Sequence, residues 1–277
     1  MGFFTRQNTV EHDKPIFAFT EGIRTPHSAT ITGEFISPNK DGNKSFPAGM
    51  FIAVKNGRRR LLPRAKVTVA AVSGQTRFKT TFPYTFIPGD ELTIVEPYIA
   101  LTVSGTGMAS ILFNERMVQV TPIGAGTATE AASQLATLFS ETLLNDYFRF
   151  VAAGTSLYVF AKDGMSLYTV TGSGSLSAGG ALTVNTTPIG TVSFIDTMTE
   201  EIVLNAGAGL AVPVGFNVGV KVDYVVGILP TSGNVSNVRP SMDVGVADEG
   251  KLWLGALPYY DGDIERQVPR LVARMKW

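Results

Sequence analysis

The chain has 277 residues, and its 23 Lys plus Arg balance 23 Asp plus Glu for a formal net charge of +0, so it carries no net basic field for gripping nucleic acid. It has no cysteine, which excludes a disulfide scaffold, a thiol nucleophile and every Cys-ligated metal site. Charged residues make up 17% of the chain, below the usual ~25%, while 29 Gly and 15 Pro fit many turns between short strands.

Residues 1–45 read as an extended arm. Phe3, Phe4, Ile16, Phe17, Phe19, Ile23, Phe35 and Ile36 are scattered among Pro, Thr, Asn and charges, and only Ala29–Ile36 has the look of a strand. Disordered tails are poor in aromatics, so the arm is expected to lie on a surface. Phe46–Met50 is a turn, Phe51–Val54 a short strand, and Asn56-Gly57 a strong hairpin signal. Arg58–Pro63 returns from that hairpin. Lys66–Val72 is a further strand, and the Pro88-Gly89 turn delivers one in which Leu92 and Ile94 share a face.

The segment 103–175 differs. Met117–Val120 is a strand. Thr127 and Glu130 have capping-box spacing, and Leu135, Leu138, Phe139, Thr142, Leu143 and Tyr147 follow at steps of three and four. That stripe predicts a helix from about 128 to 146. Ser156–Ala161 and Leu167–Val170 are expected to form a hairpin across Lys162-Asp163-Gly164, and the helix stripe to pack on it. Residues 172–181, rich in Gly and Ser, read as a linker.

Strand grammar then resumes with Gly190–Asp196, its partner Glu201–Leu204, and Gly215–Tyr224, where Val218, Val220, Val222 and Tyr224 point one way. Leu229 onward is poor in regular pattern and ends in bulky residues expected to dock on the chain or on a neighbour. The resulting expectation is a split β domain (46–102 and 176–229) with an α/β module (103–175) inserted at a loop. An arm (1–45) precedes it and a docking segment (230–277) follows. No apolar run reaches the roughly 18 residues of a membrane span, and Met1–Asn8 lacks the pattern of a signal peptide.

Catalytic and metal chemistry find few tools. His12 and His27 are the two histidines. His12 beside Glu11 and Asp13 matches no zinc spacing and reads as a solvated cluster. A glycosidase would need paired carboxylates. The candidate pairs are Glu130 with Glu141 and Glu200 with Glu201; Glu130 belongs to the cap, while Glu200 and Glu201 sit in a strand turn. Gly172–Ser175 resembles a nucleophile elbow in composition alone. No catalytic residue, metal or cofactor is expected. Arg58-Arg59-Arg60, with Arg64 and Lys66, is the densest basic patch. Its readings are a rim of charge-assisted bonds to a partner's carboxylates, a solvated hairpin tip, or a nucleic-acid contact without the aromatic platform such a contact uses. Arg266, Arg270, Arg274 and Lys276 allow the same readings.

Several patches resemble virion proteins of tailed bacteriophages, and head-decoration (capsid cement) proteins in particular. Phe86–Leu92 is similar to a Phe-x-x-Gly-Asp-x-Leu strand entry of phage head and tail barrels. Gly190–Asp196 with Glu201–Leu204 resembles the hairpin that follows in them. Thr127–Leu144 with Phe148–Ala153 and Ser156–Gly164 looks like a small helix-on-hairpin domain of phage structural proteins, and Pro47–Val54 before Asn56-Gly57 like the opening of decoration proteins. The resemblance implies a mainly β chain: a small β-barrel or β-tulip-like domain carrying the inserted module and the arm. It further implies a non-enzymatic homotrimer on the outer surface of the capsid, with the major capsid protein as partner and neither a membrane nor a specific nucleic acid. Interface candidates are Phe3, Phe4, Phe17, Phe19, Arg58, Arg59, Arg60, Trp253, Tyr259, Tyr260 and Trp277. Other expectations stay open. A tail tube or tail-completion protein shares the strand grammar. A major capsid protein would show a long spine helix. A carbohydrate-binding module would expose aromatics such as Tyr158, Tyr168, Trp253, Tyr259 and Tyr260.

Overall fold

The computed structural model describes residues 23, 25–163, 167–184, 187–236, 240–253, 257 and 259–275. The protein is mainly β, with several sheets, one long helix and a region where helix and sheet mix. Among the described residues no helix is long and apolar enough to cross a membrane.

The N-terminal part supplies β1 (His27–Thr32), β2 (Lys44–Phe46), β3 (Phe51–Lys55) and β4 (Arg58–Leu61). The hairpin signal at Asn56-Gly57 holds: both residues have positive φ, 53° and 73°, as a two-residue turn between twisted strands requires. Next come β5 (Arg64–Val69), β6 (Arg77–Thr80) and β7 (Glu91–Ile94). Far along the chain, β17 (Gly190–Asp196), β18 (Glu201–Leu204) and β19 (Asn217–Gly219) join these three. The six strands pair in a closed circuit, β17-β18-β6-β5-β19-β7. Leu92 and Ile94 do share the inner face, packed with Val67, Phe78, Phe86, Ile202 and Val218. The expected run from Val218 to Tyr224 is broken. Val220 hydrogen-bonds back to Pro63 and Asp223 to Val54, so the chain leaves the circuit and Tyr224 opens β20 (Tyr224–Ile228) in another sheet.

Between the two halves lies the mixed region. It contains β8 (Pro97–Val103), β9 (Ala109–Phe113), β10 (Arg116–Val120), α1 (Ala128–Ser140), β11 (Phe148–Ala153) and β12 (Ser156–Ala161). It continues through β13 (Thr169–Gly174), β14 (Leu176–Ser177), β15 (Gly179–Ala181) and β16 (Thr183–Val184). The capping box is formed: Thr127 Oγ1 accepts from Glu130 N at 3.2 Å, and Glu130 Oε2 accepts from Thr127 N at 3.1 Å. The helix ends earlier than the stripe suggests. Thr142 turns its hydroxyl onto the Leu144 amide and starts a separate 3-10 turn, Leu143–Asp146.

The expected Ser156–Ala161 to Leu167–Val170 hairpin does not form. β12 pairs with β11 and β8, while β13 pairs with β9 and β15 in a second sheet. Nor is 172–181 a linker. Its glycines let strands approach closely: a Cβ on Gly179 would lie 2.8 Å from Thr171 Cα, and one on Gly174 2.3 Å from Met108 O. The mixed region therefore runs from Pro97 to Val184, wider at both ends than the expected 103–175. It is also coupled to the circuit, because Phe160 packs in the circuit's own core and meets Phe216 edge-on at 4.8 Å.

The remaining strands build a layered base. β20-β3-β4 is the middle sheet. On one face it carries Ile52, Leu61 and Val226, covered by β1 paired with β22 (Ser241–Val246) and by β2 paired with β21 (Gly233–Val235). On the other it carries Phe51, Ala53 and Val225. These are covered by Ile264 of α2 (Gly262–Gln267), Leu252 of β23 (Gly250–Trp253) and Leu271 of β24 (Leu271–Met275). The C-terminal segment is thus regular, and β24 runs parallel to β23.

Candidate functional site

Period-two alternation puts Arg58 and Arg60 on one face of β4 and Arg59 on the other, and burial then separates Arg60 from Arg58, which is exposed at the hairpin tip. Arg60 points inward and is 3% exposed. Its Nη1 and Nη2 each donate to one oxygen of Asp90 at 2.8 Å, and Nη2 also donates to Thr85 O at 2.8 Å. Asp90, equally buried, accepts further bonds from Lys55 Nζ at 3.3 Å and from the Ile87 amide at 3.1 Å. The guanidinium lies 5.6 Å from the Phe35 ring. Such a bidentate fork is the strong form of charge-assisted bond. It is made within the chain, so Arg60 leaves the rim expected from sequence. Arg59 donates to Ser28 O, and exposed Arg58 lies 3.5 Å from Glu34. All three arginines therefore meet the segment 28–35 of their own chain, which they pin to the base.

A second charged cluster was not anticipated. Arg64 donates through Nη1 to Asp261 Oδ2 at 2.7 Å and through Nη2 to Asp263 Oδ2 at 2.6 Å. Burial works against the Arg64 charge, but Asp261, Tyr259 and Asp263 outweigh it and hold its pKa above the ordinary value. Asp261 Oδ1 caps α2 by accepting from Ile264 N at 2.8 Å, and Tyr259 Oη donates to Oδ2. Burial pushes the Tyr259 phenol well up, and the charges of Asp261 and Glu96 add to it. Nearby, Arg149 of β11 donates to Glu96 and, at 2.7 Å, to Gly215 O, while stacking 4.3 Å from the Phe160 ring. Burial raises the Glu96 carboxyl and the Asp261 charge raises it further, against the lowering by Arg149 and by an Asn217 hydrogen bond. This chain of contacts ties the mixed region, the circuit and the C-terminal segment together. Its sequence signal was slight: Arg64, read as one more member of the basic patch, and an Asp-Gly-Asp at 261–263 far along the chain.

The other expected residues scatter. Tyr260 packs against Phe51 at 6.2 Å, and its hydroxyl is buried without a hydrogen-bond partner. Trp253 closes β23. Phe3, Phe4, Phe17, Phe19 and Trp277 lie outside the described residues, as do His12 and Lys276. Glu200 accepts from Tyr84 Oη, and Glu201 lies 3.3 Å from Arg77, so both serve local contacts. His27 lies 3.6 Å from Asp248. Tyr158 packs edge-on against Phe216, and Tyr168 against Phe113 and Phe148, which draws both into cores. Among the described residues no three His, Asp or Glu side chains gather as a metal site.

One cleft of about 150 Å³ is present at the base. Ile36, Phe46, Met50, Leu61, Phe82 and Tyr84 line it, with Ser45 and Thr85 beside them. It lies next to the Arg60 latch, since Thr85 belongs to both.

No protein-family model matches the sequence, and no curated protein matches it.

Proposed function

We propose that the protein is a structural component of a tailed-phage virion: a non-enzymatic cement protein that binds the outer surface of the capsid as a homotrimer. The closed six-strand circuit is read here as a small barrel of β-tulip-like form. The observation that carries the proposal is the physical role of the Phe86–Leu92 motif, the part of the chain most like phage barrels. Phe86 and Leu92 are both fully buried in the circuit's core. Gly89 takes the left-handed turn at φ 89°, and Asp90 receives the Arg60 fork that locks the circuit to the base. Every signature position thus has a structural task that a barrel mounted on a braced base needs.

The base supports the same reading. β1 is held by β22 and by Arg59, and β2 by β21, so the stretch that follows the arm's root is tied to the fold through many bonds. A clamp that bears load between a shell and its cement requires such an anchor. The 13-residue α1 is short for a shell protein's spine, and Tyr158 and Tyr168 are half-buried against the cores rather than set out on an open sheet face.

Electron microscopy of particles, together with mass measurement of the purified chain, tests the proposal. Density at symmetric sites on the shell and a mass of three chains are expected. Density confined to the tail, or forming the continuous shell, overturns the cement assignment in favour of a tail or major capsid protein.

A further inference from the structure

The base holds an apolar cleft on one face of its middle sheet, and the arm's root starts on the other. Ile36, Phe46, Met50 and Leu61 of its lining belong to the β1–β2 side, and Phe82, Tyr84 and Thr85 complete it from the segment before β7. Ile23, the first described residue, packs instead with Phe51 and Leu62 on the α2 side. Ile23 thus lies across the middle sheet from the cleft, and the sequence before it carries four phenylalanines, Phe3, Phe4, Phe17 and Phe19.

The dimensions match. An apolar space of about 150 Å³ is large enough for one benzene ring, the ring of a phenylalanine side chain. From Ile23 back to Phe4 the chain can extend about 65 Å at about 3.4 Å per residue. A folded chain of 277 residues has a radius of gyration of about 19 Å and so spans about 50 Å. The arm's tip can thus reach past its own subunit.

We propose that the cleft is a receptor for an arm phenylalanine, Phe3 or Phe4, of a second copy of this chain. Root and cleft are different surfaces, so the contact is head-to-tail, and such contacts close into rings when the rotation permits. This deepens the homotrimer proposed above by naming the joint, and it rests on that reading for the ring's closure. A lodged ring would bury a large apolar area at a site whose neutral, apolar lining offers no competing charge.

The absence of native cysteine gives a clean test. Ser45→Cys places a thiol beside the cleft in one chain, and Thr5→Cys places one next to Phe4 in another. After mixing and mild oxidation, a disulfide-linked pair of two-chain mass is expected. It should be lost when Phe3→Ser and Phe4→Ser are added to the arm chain. Ala18→Cys, beside Phe17 and Phe19, serves as the root-proximal comparison and is expected to link weakly. Melting curves of the variants, expected to match the parent, show that the base stays folded. No interchain link, a link equally strong without the phenylalanines, or a link formed only within a single chain bearing both cysteines overturns the proposal. A phenylalanine-dependent interchain link in a protein that never decorates particles would keep the joint and remove the cement reading. Decoration without the link would do the reverse.

Discussion

Arg64 and Asp261, 197 positions apart in sequence, meet at 2.7 Å with both side chains almost wholly buried. The same carboxylate that neutralises the guanidinium also caps α2. One contact thus neutralises a buried charge and anchors the C-terminal segment.

Removing this carboxylate should be costly. Asp261→Ala leaves Arg64 buried with Asp263 as its remaining carboxylate and also uncaps α2. Breaking a buried pair costs about 3–5 kcal/mol, and Asp261→Ala is expected in that range by denaturant unfolding. Asp261→Asn retains a good N-cap and should lose less. If the two variants were equally unstable, the charge rather than the cap would be the larger part.

The Arg60–Asp90 latch should respond asymmetrically. In Arg60→Met, Asp90 still has Lys55 and the Ile87 amide. In Asp90→Ala, Arg60 keeps only the Thr85 carbonyl. Asp90→Ala should therefore be the more damaging, approaching the about 3–5 kcal/mol of a broken buried pair. Thermal melts of the two variants side by side decide the order.

Two carboxylates give opposite pH signatures. Burial raises Glu96, and Asp261 adds to the rise, above its ordinary 4.5. The folded state then holds this proton more tightly than the unfolded state does. Its contribution is complete below pH 4.5 and is lost as pH rises through the folded value. Burial also acts upward on Asp263, but Arg64 overrides it and holds the carboxyl below its ordinary 3.8. That contribution is present above 3.8 and is lost as pH falls through the folded value. Relative to the parent, Glu96→Gln should gain stability from pH 4 to pH 7, and Asp263→Asn should gain as pH drops from 5 toward 3. Unfolding free energies across that range provide the check.

The capping box makes a smaller, local prediction. Thr127→Ala removes the acceptor for Glu130 N and should cost about 1 kcal/mol. The loss should appear first as faster hydrogen exchange in the first turn of α1.

Local signals were legible wherever a few adjacent residues fix the backbone. The Asn56-Gly57 turn, the Thr127–Glu130 cap, the shared face of Leu92 and Ile94, and the pairing of Gly190–Asp196 with Glu201–Leu204 are all of this kind. Each depends on φ preference, side-chain reach or period-two alternation, and these act within a few residues. Partner choice among strands was not legible. Leu167–Val170 looked like the return of Ser156–Ala161, yet the strand that begins at Thr169 pairs with β9, because sheet pairing is settled by which faces remain to be buried after the whole chain collapses. The glycines of 172–181 read as slack; the structure uses their missing Cβ atoms for close strand approach. The arginine triplet shows the division most plainly. The sequence by itself determined that three adjacent arginines would return from the Asn56-Gly57 turn. Only the tertiary structure decided that one of them would be buried, by bringing Asp90 to Arg60 and so supplying the counter-charge without which an arginine stays in water.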